Sequence, residues 1–216
     1  MRGHIRHKYN QIMADKVTLS LEERLIKIVN VSYEILCNKI ACGGIEVPNE
    51  ASLQLQLGVI LKQVGQLYEF CDDEHFLIDL ESPQDVKNSP KSDSNKARCD
   101  IFLKLKNGVT ETSAAIEIKH FKQGKNEAVT DNRFSVLLDL KNLELYKANY
   151  ENLLCFEIVY TNNVNYTLPD RSKIELSGEI KQKETYCGNF IELENKHEAD
   201  WDKYNKENHY FLKIGF

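Results

Sequence analysis

Two short stretches hold side chains whose types and spacing could do chemistry. One is CDIFLKLK at 99–106, with Asp100 near its start; the other is AAIEIKH at 114–120, with Glu117 and Lys119 two apart among apolar neighbours. Converging carboxylates offer hard oxygen ligands to a divalent cation, and a lysine projecting beside them could hold a water. The acid-x-Lys pattern alone says little in a chain with 28% charged residues, since it also occurs at Asp85-Lys87, Asp139-Lys141, Glu179-Lys181 and Glu194-Lys196. Geometry has to separate the five.

Between the two stretches lies Asn107-Gly108, the dipeptide best suited to a two-residue hairpin turn. With that turn Lys106 faces Val109, and counting back sets Asp100 opposite Ala115 and Arg98 opposite Glu117. One face then carries Cys99, Ile101, Leu103 and Leu105 with Ala114, Ile116 and Ile118, which is a core face. The other carries Asp100, Phe102 and Lys104 with Ala115, Glu117 and Lys119. Asp100 and Glu117 become diagonal neighbours about 7–8 Å apart at the backbone, near enough for both carboxylates to reach one cation. A slip by one residue would bury the charges and expose the isoleucines; a slip by two would keep the faces and move the partners. The plain alternative is a hairpin with one dry and one wet face, where Glu117 and Lys119 are a solvated pair contributing under ~1 kcal/mol.

The elements that must position this hairpin follow from periodicity. Ser20 and Glu23 form a capping box ahead of Leu21, Leu25, Ile28, Val29, Leu36 and Ile40, which predicts a helix over about 20–40, stopped by Gly43 and Gly44. A second apolar stripe, Leu53, Leu57, Ile60, Leu61, Val64 and Tyr68, predicts a helix over about 50–69, with Glu50 in its first turn, where negative charge suits the helix dipole. HFLIDLE at 75–81 reads as a strand, and 86–97 as a surface loop rich in Ser, Asn, Lys and Pro. Thr130 or Asp131 is expected to cap a third helix to about 147. LLCFEIVY at 153–160 is near-continuously apolar, as in a central strand covered on both faces. Beyond 160, strands are expected at 173–176, 189–194 and 210–214. The order from the second helix on is helix, strand, strand, strand, helix, strand: a mixed α/β sheet with helices on both sides.

Asp100 followed by Glu117-Ile118-Lys119, on adjacent strands between a Glu-bearing helix and a later helix and strand, resembles the PD-(D/E)-x-K nucleases, the restriction-endonuclease-like fold. The resemblance covers about 50–161, including the NEASLQLQLG segment at 49–58; the residue before Asp100 departs from it, being Cys99 and not Pro. It implies an αβββαβ mixed-sheet core in one domain spanning 1–216, with the helix at 20–40 before the core and a β-rich extension at 162–216. It also implies that Asp100, Glu117 and the backbone carbonyl of Ile118 bind Mg²⁺, with Mn²⁺ as a substitute. Lys119 would orient and help deprotonate the attacking water, its pKa lowered by the metal and by partial burial. Glu50 would reach in as a second-metal or water ligand. The activity implied is DNA endonuclease, of the type II restriction or related defence kind, leaving 5′-phosphate and 3′-hydroxyl ends. Double-stranded DNA is the expected partner and a homodimer the expected assembly. The alternatives are an RNA endonuclease of the same fold and a catalytically inert nucleic-acid-binding module.

Bulk properties bound these readings. The 216 residues are 42% hydrophobic, and no apolar run approaches the ~18–20 residues that would span a membrane. The basic start at 1–10 lacks the apolar segment of a secretory signal, so a cytoplasmic protein is expected. No pair of the six cysteines has zinc-knuckle or redox spacing, which suggests reduced core thiols. The net charge of −5 gives no overall attraction to nucleic acid, though a local cationic cleft is compatible with it. Lys122, Lys125 and Arg133 are candidates for phosphate contacts, and Lys87, Lys91 and Lys96 make the 86–97 loop a candidate DNA contact. His120 falls on the core face by parity. The aromatic residues Trp201, Tyr204 and Tyr210 read first as core filling.

Overall fold

The computed structural model describes residues 19–86, 89–90, 96–122, 128–168, 174–204 and 208–216; the start at 1–10, Lys87, Lys91 and Lys125 lie outside them. Helix α1 (Leu21–Ala41) begins at the expected capping box: Glu23 N donates to Ser20 Oγ at 3.1 Å and Ser20 N to Glu23 Oε2 at 2.8 Å. Helix α2 (Glu50–Gln66) begins at Asn49, whose side chain accepts from Ser52 N, and ends three residues short of the expected 69. Gly65 lets α2 lie flat on the sheet, because a Cβ there would collide with the Phe76 ring.

Strands β1 (Glu74–Asp85), β2 (Lys96–Asn107) and β3 (Thr110–Phe121) form an antiparallel meander. The expected loop is thereby shortened, since Lys96 and Ala97 already pair with β1. Helix α3 (Val129–Asn149) then carries the chain back so that β4 (Leu153–Thr161) lies parallel to β3, the only parallel pair among the described strands. After a 3₁₀ turn (Val164–Tyr166) come β5 (Gly178–Ile180), β6 (Lys183–Tyr186), β7 (Asn189–Glu192), β8 (His197–Ala199), β9 (Trp201–Tyr204) and β10 (His209–Gly215). The main sheet runs β1-β2-β3-β4-β10-β9, with β5-β8 and β6-β7 as separate two-stranded pairs. Residues 174–176 are not a strand, although Ile174 and Leu176 are buried, and Trp201, Tyr204 and Tyr210 belong to sheet strands.

Both faces of this six-stranded mixed sheet are covered by helices. Ile101, Leu103, Leu105, Ala114, Ile116 and Ile118 pack against α1 and α2. On the opposite face, α3 packs on Ala115, Cys155, Val159 and Leu212. Cys37, Cys99 and Cys155 are buried free thiols, whereas Cys42, Cys71 and Cys187 are exposed. Among the described residues no helix is long and apolar enough to cross a membrane.

Helix α3 departs most from its sequence pattern. Its N-cap is Ala128 with no side-chain bond, and Thr130 and Asp131 lie inside the helix. It buries Arg133, Asp139, Asn142 and Glu144 beside its leucines, because the sheet covers one side and the C-terminal segment the other. Buried polar groups need partners. Arg133 donates to the carbonyls of Ile174, Asn165, Tyr166 and Leu168 at 2.8–3.2 Å, so it fastens the C-terminal segment and is not available to phosphate. Glu144 accepts from the backbone N–H groups of Glu194 and Asn195 and bonds the His197 ring. Burial pushes its pKa up, but these donors outweigh burial and bring it down to about 2.

A second clamp joins α1 to the sheet. Arg24 donates through both terminal nitrogens to Glu74 at 2.7 Å and also to Tyr68 O, its guanidinium lying 4.7 Å from the Phe70 ring centroid. The Arg24 bonds hold Glu74 below its ordinary 4.5, so this contribution to stability is full above that pH and is lost as pH falls through the lower folded value. Replacing Arg24→Met alone strands a buried carboxylate and is expected to cost about 3–5 kcal/mol in urea denaturation, most of which Arg24→Met with Glu74→Leu restores.

Candidate functional site

The hairpin that carries the site turns one residue later than its dipeptide suggests. Asn107 is a strand residue paired with Thr110, and Gly108-Val109 make the turn, with Gly108 at φ 47°, in the left-handed region that a hairpin turn requires of its first central residue. Thr110 Oγ1 donates to Asn107 Oδ1 at 2.7 Å and locks that pair. The ladder is therefore moved by two: Phe102, not Asp100, pairs with Ala115, and counting onward sets Asp100 level with Glu117 in place of the expected diagonal. An even shift keeps the faces, so the isoleucines still point to α1 and α2.

The regular ladder stops at Ile101 and Ile116, and Asp100 takes over. Its Oδ2 accepts from Ile118 N at 2.7 Å, so a side chain occupies the position that the next strand bond would have held. On its other side, Gln54 of α2 donates to Asp100 O at 2.7 Å and to Glu81 Oε1 at 3.0 Å, where Glu81 sits at φ 53° across from Asp100 in β1. The alternation breaks here. Cys99 lies with Phe102, Ala115 and Tyr146 on the α3 side, not with Ile101 as simple parity has it.

The end of β3 delivers the rest. Glu117 is fully buried and accepts from Tyr146 Oη at 3.1 Å; Glu157, also fully buried, stands beside it in the parallel register of β4. Lys119 places Nζ 2.8 Å from Asp139 of α3, 3.7 Å from Glu50 and 3.3 Å from the Ile118 carbonyl. Glu50 Oε2 in turn accepts from His120 N at 3.3 Å. Three separated segments thus meet at 117–120, with Asp100 on Ile118 N and Glu50 on His120 N and Lys119 Nζ.

The acids around Lys119 set its charge state. Burial pulls its pKa down, but Asp139, Glu157 and Glu50 outweigh burial and hold it above the ordinary lysine value. In this form Lys119 is an ammonium, not a base. His120 shows the opposite balance: burial, with Lys122 nearby, brings its pKa to about 4, and its ring stacks on Tyr160 at 5.0 Å. That is the packed histidine that parity suggests. Lys122 is exposed beyond the strand.

Asp139, Glu157, Tyr146 and Gln54 complete the site and were not singled out by spacing. The signal for Glu157 was present, because a carboxylate inside an apolar run is costly to bury without a cationic or donor neighbour. Asp139 lay in another acid-x-Lys match, where its helix spacing to Tyr146 on the sheet-facing side of α3 carried the information. Among the described residues no group of three or more His, Cys, Asp or Glu side chains is arranged to hold a metal ion. The carboxylates of Asp100 and Glu50 and the Ile118 carbonyl offer oxygen donors, the type that suits Mg²⁺.

Asp139→Asn removes the nearest charge holding Lys119 protonated and is expected to lower the Lys119 pKa, read from the ¹³Cε shift of labelled lysine across a pH titration; an unchanged midpoint contradicts the electrostatic account. The chain matches no family model, and neither a curated protein nor a solved structure is similar to it.

Proposed function

We propose that this chain is a Mg²⁺-dependent endonuclease of the PD-(D/E)-x-K type acting on DNA, in the manner of a type II restriction or related defence enzyme. The order α2-β1-β2-β3-α3-β4, with β3 parallel to β4, supports a restriction-endonuclease-like αβββαβ reading. The observation that carries it is that Asp100 of β2 bonds Ile118 N while Glu50 of α2 and Asp139 of α3 bracket Lys119 in the next position of β3. Asp100, Glu117, the Ile118 carbonyl and Glu50 are the groups that would hold the ion, with Mn²⁺ able to replace it. When bound, the ion supplies charge stabilisation at the phosphate and a more acidic water.

The chain's own residues do the remaining work. Lys119, kept protonated by Asp139, presents positive charge to the phosphoryl oxygens as negative charge builds on them during attack by water. Glu50, partly exposed, is placed to accept a hydrogen bond from that water. Water adds to phosphorus as the bond to the 3′ oxygen breaks, leaving a 5′-phosphate and a 3′-hydroxyl. A homodimer would set two such sites on a two-fold symmetric duplex.

One observation favours a second reading, a nucleic-acid-binding module that does not cut: Lys119 is pinned to a buried aspartate and Glu117 to Tyr146. Incubation with supercoiled plasmid, phage DNA and RNA separates the two. The nuclease reading expects discrete DNA fragments with Mg²⁺ and none with EDTA, and a loss of about a hundredfold or more in rate for Glu50→Gln and for Lys119→Met. DNA binding without cleavage in Mg²⁺ or Mn²⁺ supports the module; cleavage of RNA alone moves the substrate.

A further inference from the structure

Helix α2 lies antiparallel along β1, the terminal strand of the main sheet. Gln54 Nε2 donates to Glu81 Oε1 at 3.0 Å, Gly58 sits over Leu80 and Ile78, and Lys62 Nζ donates to Phe76 O at 3.2 Å. Among the described residues β1 pairs only with β2, and its outer edge is guarded at Phe76, where Lys62 takes the carbonyl and Glu69 accepts from the N–H at 2.6 Å. Side chains so placed stop a further strand from adding at that residue. A partner approaching this side of the molecule therefore meets the flank of the helix above the edge, not the strand.

That flank is apolar at its centre. Leu55, Val59 and Lys62 follow one another at the spacing of a single helical stripe, away from the buried Leu53, Leu57 and Leu61. Leu55, Val59 and Leu80, the last lying against Gly58, are each 45–55% exposed. The two ends of the patch carry opposite charge: the Lys62 ammonium at one, and at the other the Glu81 carboxylate held by Gln54, about 12 Å away along the helix axis. A patch with an apolar middle and opposite charges at its ends is complementary to itself under a two-fold rotation.

We propose that this patch is the contact between two copies of this chain, with α2 antiparallel to its symmetry mate, Leu55 of one copy on Val59 of the other, and Lys62 of each copy beside Glu81 of the other. This names a surface for the homodimer of the nuclease reading, while the association itself does not depend on the chemistry at Lys119. Glu50 opens the same helix one turn before Gln54, so the contact sets one candidate site on each side of the two-fold.

The test is sedimentation velocity of the full-length protein over a concentration series in EDTA, with the far-UV melting curve of each variant as the check on folding. The proposal expects a monomer–dimer equilibrium in the unsubstituted protein. Leu55→Glu with Val59→Glu, at exposed positions, should leave a folded monomer. Lys62→Glu and Glu81→Lys should each weaken association about tenfold, because like charges then meet twice across the two-fold, and the two changes together should restore it. A monomer at every concentration, a dimer that survives Leu55→Glu with Val59→Glu, or a double charge variant no tighter than the single ones overturns the proposal. DNA cleavage by a protein that stays monomeric sinks the interface alone, and a dimer with these responses that cuts neither DNA nor RNA sinks only the nuclease reading.

Discussion

The parallel pairing of β3 with β4 sets two glutamates, Glu117 and Glu157, side by side with no access to solvent, and much of the structure answers that placement. Two buried carboxyl groups side by side are tolerable only with cations or donors near them. The ammonium of Lys119 supplies the cation, Tyr146 a hydroxyl, and Asp139 fixes the lysine in place. Helix α3 is consequently buried with polar residues along its sheet-facing side, and it needs Arg133 and Glu144 to fasten the C-terminal segment over its other side. Replacing Glu117 or Glu157 by a packed hydrophobic side chain would relieve this demand, so the arrangement is expensive for stability alone.

A second constraint lies one strand away. Asp100 ends the β2–β3 ladder by bonding Ile118 N with its side chain, and Gln54 and the left-handed Glu81 hold the backbone on the other side. The strand is bent out of alternation at the residue whose carboxylate faces the end of β3. Strand irregularities of this sort re-aim a side chain, and here the side chain is the acid nearest to Ile118. Lys119 and Glu50 meet at that same strand end.

Much of this was legible in the sequence, for identifiable reasons. The capping box at Ser20 and Glu23 is local and needs no tertiary context, so α1 starts where its residues say. The alternation of Ile116 and Ile118 fixed which way Glu117 and Lys119 face, because only that face can be wet or charged. Exact register was not legible: Asn107 can serve as a turn residue or as the last strand residue, and its bond to Thr110 chooses the latter. Glu157 was hidden by its apolar neighbours, and Asp139 by the frequency of acid-x-Lys matches. Arg133 read as a phosphate contact because nothing near it in sequence reveals the four carbonyls, from a segment more than thirty residues later, that surround it. The charge state of Lys119 likewise depends on α2, α3 and β4 together, and no local pattern contains it.

Binding of a divalent cation by Asp100 and its neighbouring acids, as proposed above, is read from the melting temperature with EDTA, Mg²⁺ or Mn²⁺. At a hundredfold excess over its dissociation constant, a specific ion should raise it by about 5–10 °C, and Asp100→Ala should abolish the rise. A melting temperature unmoved by either ion, or a rise that survives Asp100→Ala unchanged, would contradict the account.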